Sequence, residues 1–140
     1  MNGEIKVKKL LLLSSLLALM VPCISNAQDS IEQCYKSATT TSAVRECLKK
    51  ELQEARNEYR EALEKLTQQA GELDRVTGRN EALPALEKAN TAFDRYVAEQ
   101  CRFEEKMMGG GSGSGAANLS CQINLLHVRM GAIESHLGAQ

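Results

Sequence analysis

The chain has 140 residues, 43% of them hydrophobic but only 4% aromatic and none of them Trp, and its 17 basic and 18 acidic side chains leave a formal net charge of −1. So short and evenly charged a chain excludes a multidomain architecture, and it lacks the clustered Lys and Arg that phosphate binding needs, so nucleic acid is not an expected partner. The five cysteines carry more information than any other residue type.

Lys6, Lys8 and Lys9 precede the apolar run Leu10 to Val21, which is followed by Pro22 and by Ser25-Asn26-Ala27, with small residues where a signal peptidase requires them. This pattern predicts a secretory signal peptide over 1–27, cleaved after Ala27, and a single domain over 28–140. The apolar run is too short for a membrane span, which needs about 20 residues, and no later segment is apolar enough to provide one. Cys23 lies inside the leader behind Pro22, a poor setting for lipidation, and is read as discarded with it. Removing three basic residues and one acidic residue with the leader leaves a net charge of −3. The expected location is the periplasm or the exterior.

Four cysteines then remain, Cys34, Cys47, Cys101 and Cys121. An even number in an exported chain reads first as disulfides. Of the three possible pairings, the sequence-local one joins Cys34 to Cys47 and Cys101 to Cys121, each bridge adding roughly 3 kcal/mol through the entropy of the unfolded chain. A zinc site using all four is the competing reading, but no short C-x-x-C pair is present. No metal or other cofactor is expected.

Between Thr41 and Ala70 apolar residues recur in steps of three and four at Val44, Leu48, Leu52, Ala55, Tyr59, Ala62 and Leu66. This is helical period, with candidate N-caps in Thr39 to Ser42 and a C-terminal end either at Gly71 or near Val76. Before it, Gln28 to Thr40 reads as a strap pinned by the first cysteine pair, with at most a short helical turn. A second periodic segment starts near Glu81 and carries Leu83, Leu86, Asn90, Phe93, Val97 and Cys101, with Pro84 tolerated in the first turn. A third carries Leu119, Ile123, Leu126, Met130, Ile133 and Leu137. The second and third are joined by Gly109, Gly110, Gly111, Ser112, Gly113, Ser114 and Gly115, a loop with maximal backbone freedom. The predicted fold is therefore all-α: an antiparallel three-helix bundle stapled by two disulfides, with a short N-terminal strap.

Candidates for catalysis are few. His127 and His136 are nine residues apart on one helix, on nearly opposite faces, and cannot share a metal ion within one subunit. The glycine-rich loop is followed by no Lys-Ser or Lys-Thr and is no phosphate cradle. An enzyme is not expected. Glu51, Glu54, Glu58 and Glu61 form an acidic helical stripe, read as a solvated face whose neighbours Lys50, Lys65 and Arg60 offer weak pairs four residues apart.

The four-cysteine order, Cys34-Tyr-Lys-Ser-Ala, Val44-Arg-Glu-Cys47-Leu48, the Tyr59-centred helix, the glycine-rich loop and Cys121 followed eight residues later by Arg129 together resemble the LprI-type lysozyme-inhibitor family. The resemblance runs from about Cys34 to Leu137. Ahead of the third cysteine the family carries a glutamine, a tryptophan and an arginine where this chain has Asn90, Phe93 and Val97. The resemblance implies an exported protein that occupies the cleft of a lysozyme or another muramidase. The inserted element is then the loop Gly109 to Gly115, with Arg102 and Lys106 pairing with the enzyme's carboxylates. Tyr96 and Arg129, at family-marked positions, are expected to serve the bundle itself, Tyr96 as a buried tyrosine with a partner. The alternatives are an immunity-type protein against another secreted partner and a structural envelope protein, the latter dimerising through an exposed part of the third-helix seam.

Overall fold

A computed structural model of the protein describes residues 27–138; the expected leader, Cys23 included, lies outside them except for Ala27. Four helices follow one another: α1 (Ala27–Ser37), α2 (Thr41–Thr77), α3 (Ala82–Met107) and α4 (Ser114–Gly138). Among the described residues there is no strand, so the all-α expectation holds. The pairings that fix direction are Tyr59 with Phe93, Asn90 with Arg129 and Cys101 with Asn118. Leu83 meets Asp74 while the later Phe93 meets the earlier Tyr59, and Asn90 meets Arg129 while the later Cys101 meets the earlier Asn118, so α3 runs antiparallel to both α2 and α4.

α2 is the axis of the molecule, 37 residues or about 55 Å long. Its start is fixed by Thr40, whose hydroxyl accepts the Ala43 N–H at 3.1 Å, satisfying one of the donors that a helix start leaves free. Its end is fixed by Gly78, which adopts the left-handed conformation at φ 68° that glycine enters without steric cost. Gly71 is therefore an interior residue and not a cap, and the helix continues a further turn and a half. Val44, Leu48, Leu52, Ala55, Tyr59 and Ala62 are buried at the expected spacing. Beyond Ala62 no residue of α2 is fully buried; Leu63 and Leu66 still pack against the core, and the turns after them are more open.

The N-terminal strap is a helix of three turns. α1 buries Ile31 and Cys34 against α2 and α4, and the Cys34–Cys47 bridge, with Cα atoms 5.6 Å apart, ties it to the second turn of α2. The three-helix expectation thus becomes four helices. Ala27 and Ala38 pack against the core beside Ile31 and Cys34, so the inward positions fall in steps of four, three and four, a helical period carried by two alanines, one isoleucine and one cysteine and therefore weak in hydropathy.

α3 begins by an unexpected device. Its N-cap residue, Glu81, makes no side-chain cap bond; Asp74 of α2 accepts the N–H groups of Glu81, Ala82 and Leu83 at 3.1, 2.9 and 3.0 Å instead. These bonds hold the Asp74 carboxyl below its ordinary pKa, because backbone donors favour the ionised form. Pro84 sits in the first turn, where its missing donor costs nothing. Of the six positions expected on the inner stripe of α3, only Cys101 is fully buried. α3 therefore lies on the bundle more than inside it.

α4 supplies the other half of the core through Ala116, Cys121, Ile123, Leu126, Met130 and Ile133. The middle of its seam is covered by its neighbours, with Ile123 and Ile133 at 0% and 2% exposure, which leaves no free strip there for a second copy. The carboxylate stripe of α2 is solvated, yet its expected four-residue pairs are replaced by other contacts: Lys49 pairs with Glu46 at 2.7 Å and Arg60 donates to Asn57.

Candidate functional site

The connection between α3 and α4 is shorter and more ordered than seven flexible residues imply. Met108 and Gly109 donate their N–H groups to the Glu105 and Lys106 carbonyls at 3.3 and 3.0 Å, closing the last turn of α3 as helix ends require. Gly109 and Gly110 then take φ 62° and 75°, which reverses the chain. The Gly111 N–H reaches the Met108 carbonyl at 3.3 Å and the Ser114 N–H the Gly111 carbonyl at 3.0 Å. Ser114 and Gly115 belong to the first turn of α4, so the loop proper narrows to Met108 through Gly113. Gly115 lies beside the Arg45 side chain, which leaves it packed against α2 and not free to enter a partner.

The base of this tip is braced twice. The Cys101–Cys121 bridge joins the helices with Cα atoms 5.4 Å apart. Beside it runs a chain of hydrogen bonds across three helices. Arg56 of α2 donates to the Gln122 side-chain oxygen at 2.8 Å, and Gln122 donates to Asn118 at 2.7 Å. Asn118 in turn donates to the Cys101 carbonyl at 3.1 Å and to Glu105 at 3.0 Å. Sequence reading missed this relay. The signal lay in polar Asn118 and Gln122, four apart on a helix and flanking a cysteine.

Arg102 and Lys106 stand exposed on the final two turns of α3. Arg102 has one partner, Glu99, at 3.6 Å with both side chains mostly solvated, so little holds it from a competing carboxylate. Lys106 lies in the last helical turn, where the carbonyl end of the helix favours a cation. Both are free to meet an acidic surface. Phe103 and Met107 are exposed beside them.

The family-marked positions converge elsewhere, in the interior. The Phe93 ring lies 5.8 Å from that of Tyr59 at 47°, and the Arg129 guanidinium lies 5.8 Å from the Phe93 centroid. Arg129 also donates to the Asn90 side-chain oxygen at 3.2 Å. Burial pushes the Tyr59 phenol up in pKa while the neighbouring Arg129 pulls it down, and the net direction is upward. This cluster ties α2, α3 and α4 together, the bracing role expected of Arg129. Val97 and Phe93 border an adjacent cavity of about 400 Å³. Tyr96 departs from expectation, because it is 52% exposed and has no place in the core.

At the far end of the bundle an apolar trough of about 650 Å³ opens between Leu66, Leu73 and Val76 of α2, Leu86 of α3 and Ile133 of α4, with Arg129 and His136 at its edge. His127 is half-buried. Cys34, Cys47 and Glu51 approach one another closely, but both sulfurs are spent in a bridge and offer no thiolate to a metal. Among the described residues no helix is long and apolar enough to cross a membrane.

Taken together, these features define a small disulfide-braced helical protein whose exposed chemistry suits binding a macromolecule. The sequence profile of the lysozyme inhibitor LprI family matches residues 33–132, which spans α2, α3, both disulfides and most of α4. The chain belongs to this family, an inhibitor family and not an enzyme family. No curated protein and no solved structure gives a significant match.

Proposed function

We propose that this protein is exported to the periplasm or beyond, carried by a leader over 1–27, and that its single domain over 28–140 inhibits a lysozyme by occupying the substrate cleft. Family membership supports lysozyme as the partner. Two disulfides are bonds that form and persist in an oxidising compartment.

The observation that carries the cleft model is the tip itself. Gly109 through Gly113 presents a backbone almost bare of side chains, turned by backbone hydrogen bonds and clamped at its base by a disulfide, with Arg102 and Lys106 exposed beside it. A lysozyme cleft is a groove shaped for an extended sugar chain and holds catalytic carboxylates. A bare turn enters such a groove without steric conflict, and its order in the free protein lowers the entropic cost of docking. The adjacent cations meet the carboxylates. Inhibition follows from excluded substrate and needs no reaction.

Gly111→Trp tests this directly. Gly111 has an ordinary φ, and a Cβ there meets only the Met108 carbonyl at 3.5 Å, so the fold accepts the change. The expected result is loss of inhibition with unchanged thermal unfolding. Undiminished inhibition by the folded variant contradicts tip insertion.

A further inference from the structure

We infer that the outer face of α3, continuous with the tip, is the surface that grips lysozyme; this rests on the proposed inhibitor function and assigns its main contacts. Tyr96, Phe103 and Met107 are 52%, 57% and 70% exposed. At about 100° per residue they fall within roughly 40° of one another on the helix, a strip about 16 Å long. Three large apolar side chains aligned on one solvent-facing strip are not explained by the packing of the bundle, whose inward contacts on α3 run through Phe93, Val97 and Cys101. Tyr, Phe, Met and Arg are the residues that most often anchor protein interfaces.

Charge specifies the partner. Arg95, Arg102 and Lys106 form a second exposed stripe along the same helix, about 100° round from the first. Glu99, between the two stripes, is matched to Arg102, and Glu104, exposed on the far border of the apolar strip, accepts the Gln100 side-chain amide at 3.2 Å, so the cations border the strip on one side only. An apolar strip with cations along one border fits a partner surface that sets apolar side chains beside carboxylates, and a glycosidase holds carboxylates in its substrate cleft. The strip ends at Met107, one residue before the turn that leads into Gly109. With the tip in the cleft, this face lies along the cleft's rim.

The test is Phe103→Glu combined with Met107→Glu in the oxidised protein, assayed against the lysozyme that the unsubstituted protein inhibits. Val128→Glu on α4, at a site 72% exposed, is the control. Inhibition is expected to weaken at least about tenfold in the double variant and to stay unchanged in the control, with helical circular dichroism the same in all three. Arg102→Ala with Lys106→Ala is expected to flatten the salt dependence of binding. Full inhibition by the double variant overturns this surface while leaving the inhibitor reading intact. An unsubstituted protein that binds no lysozyme overturns both. A doubled solution mass abolished by the double variant assigns the strip to a second copy of the chain and overturns the proposal.

Discussion

Asp74 shows how one carboxylate can organise two helices. It belongs to α2 by sequence and to α3 by function, accepting three N–H groups that α3's own N-cap leaves unmet. Its pKa is depressed in the folded protein, so its contribution to stability is fully present above the unfolded value near 4 and is lost as pH falls through the lower folded value. Asp74→Asn is therefore expected to lower the unfolding temperature at pH 7, with the gap between variant and parent closing as pH is lowered below about 4; a gap constant with pH contradicts the capping role. Arg129 acts similarly in the core. Replacing it with Met removes the bond to Asn90 and the contact with the Phe93 ring, and is expected to cost about 1–3 kcal/mol in urea unfolding. The Tyr59, Phe93 and Arg129 positions were legible in the sequence as marked residues, yet their mutual contact was not, because it joins three helices. The exposure of Tyr96 was equally hidden. Helical period identifies a shared face but cannot say whether that face is covered.

At the scale of elements, the long helices followed from spacing because α2 and α4 bury one residue every three or four. α1 was legible only as a strap with a short helical turn, because its flanking inward positions are the alanines Ala27 and Ala38 and only Ile31 and Cys34 are buried. The end of α2 was ambiguous because Gly71 meets nothing, and an interior glycine costs only about 1 kcal/mol while Gly78 makes a true left-handed cap. Ser114 and Gly115 read as loop because composition, and not packing, was the only guide. The light burial of α3 makes the Cys101–Cys121 bridge its main fastening at the tip end. Replacing both cysteines by serine is expected to cost roughly 3 kcal/mol and to accelerate amide exchange first in the last turns of α3 and the first of α4. Uniform acceleration through α2 contradicts the view that this bridge secures the tip alone.

The whole molecule is built with one braced end and one open end. Both disulfides, α1, the Arg56 relay and the glycine turn gather where α3 meets α4, while the opposite end carries the Asp74 cap of α3 and the trough between α2, α3 and α4. Rigidity is thus concentrated beside the surface proposed to enter a cleft, as preorganised binding requires. Sequence alone supplied the family resemblance, the bridges and the cationic residues Arg102 and Lys106; the shape of the tip and the apolar strip beside it needed the folded chain. The measurement that bears most directly on the central claim is cell-wall lysis by c-type, g-type and i-type lysozymes against increasing amounts of the oxidised protein. Inhibition of one type, with a sharp break near a one-to-one ratio, is the expected result. Undiminished lysis by all three types at excess protein contradicts it.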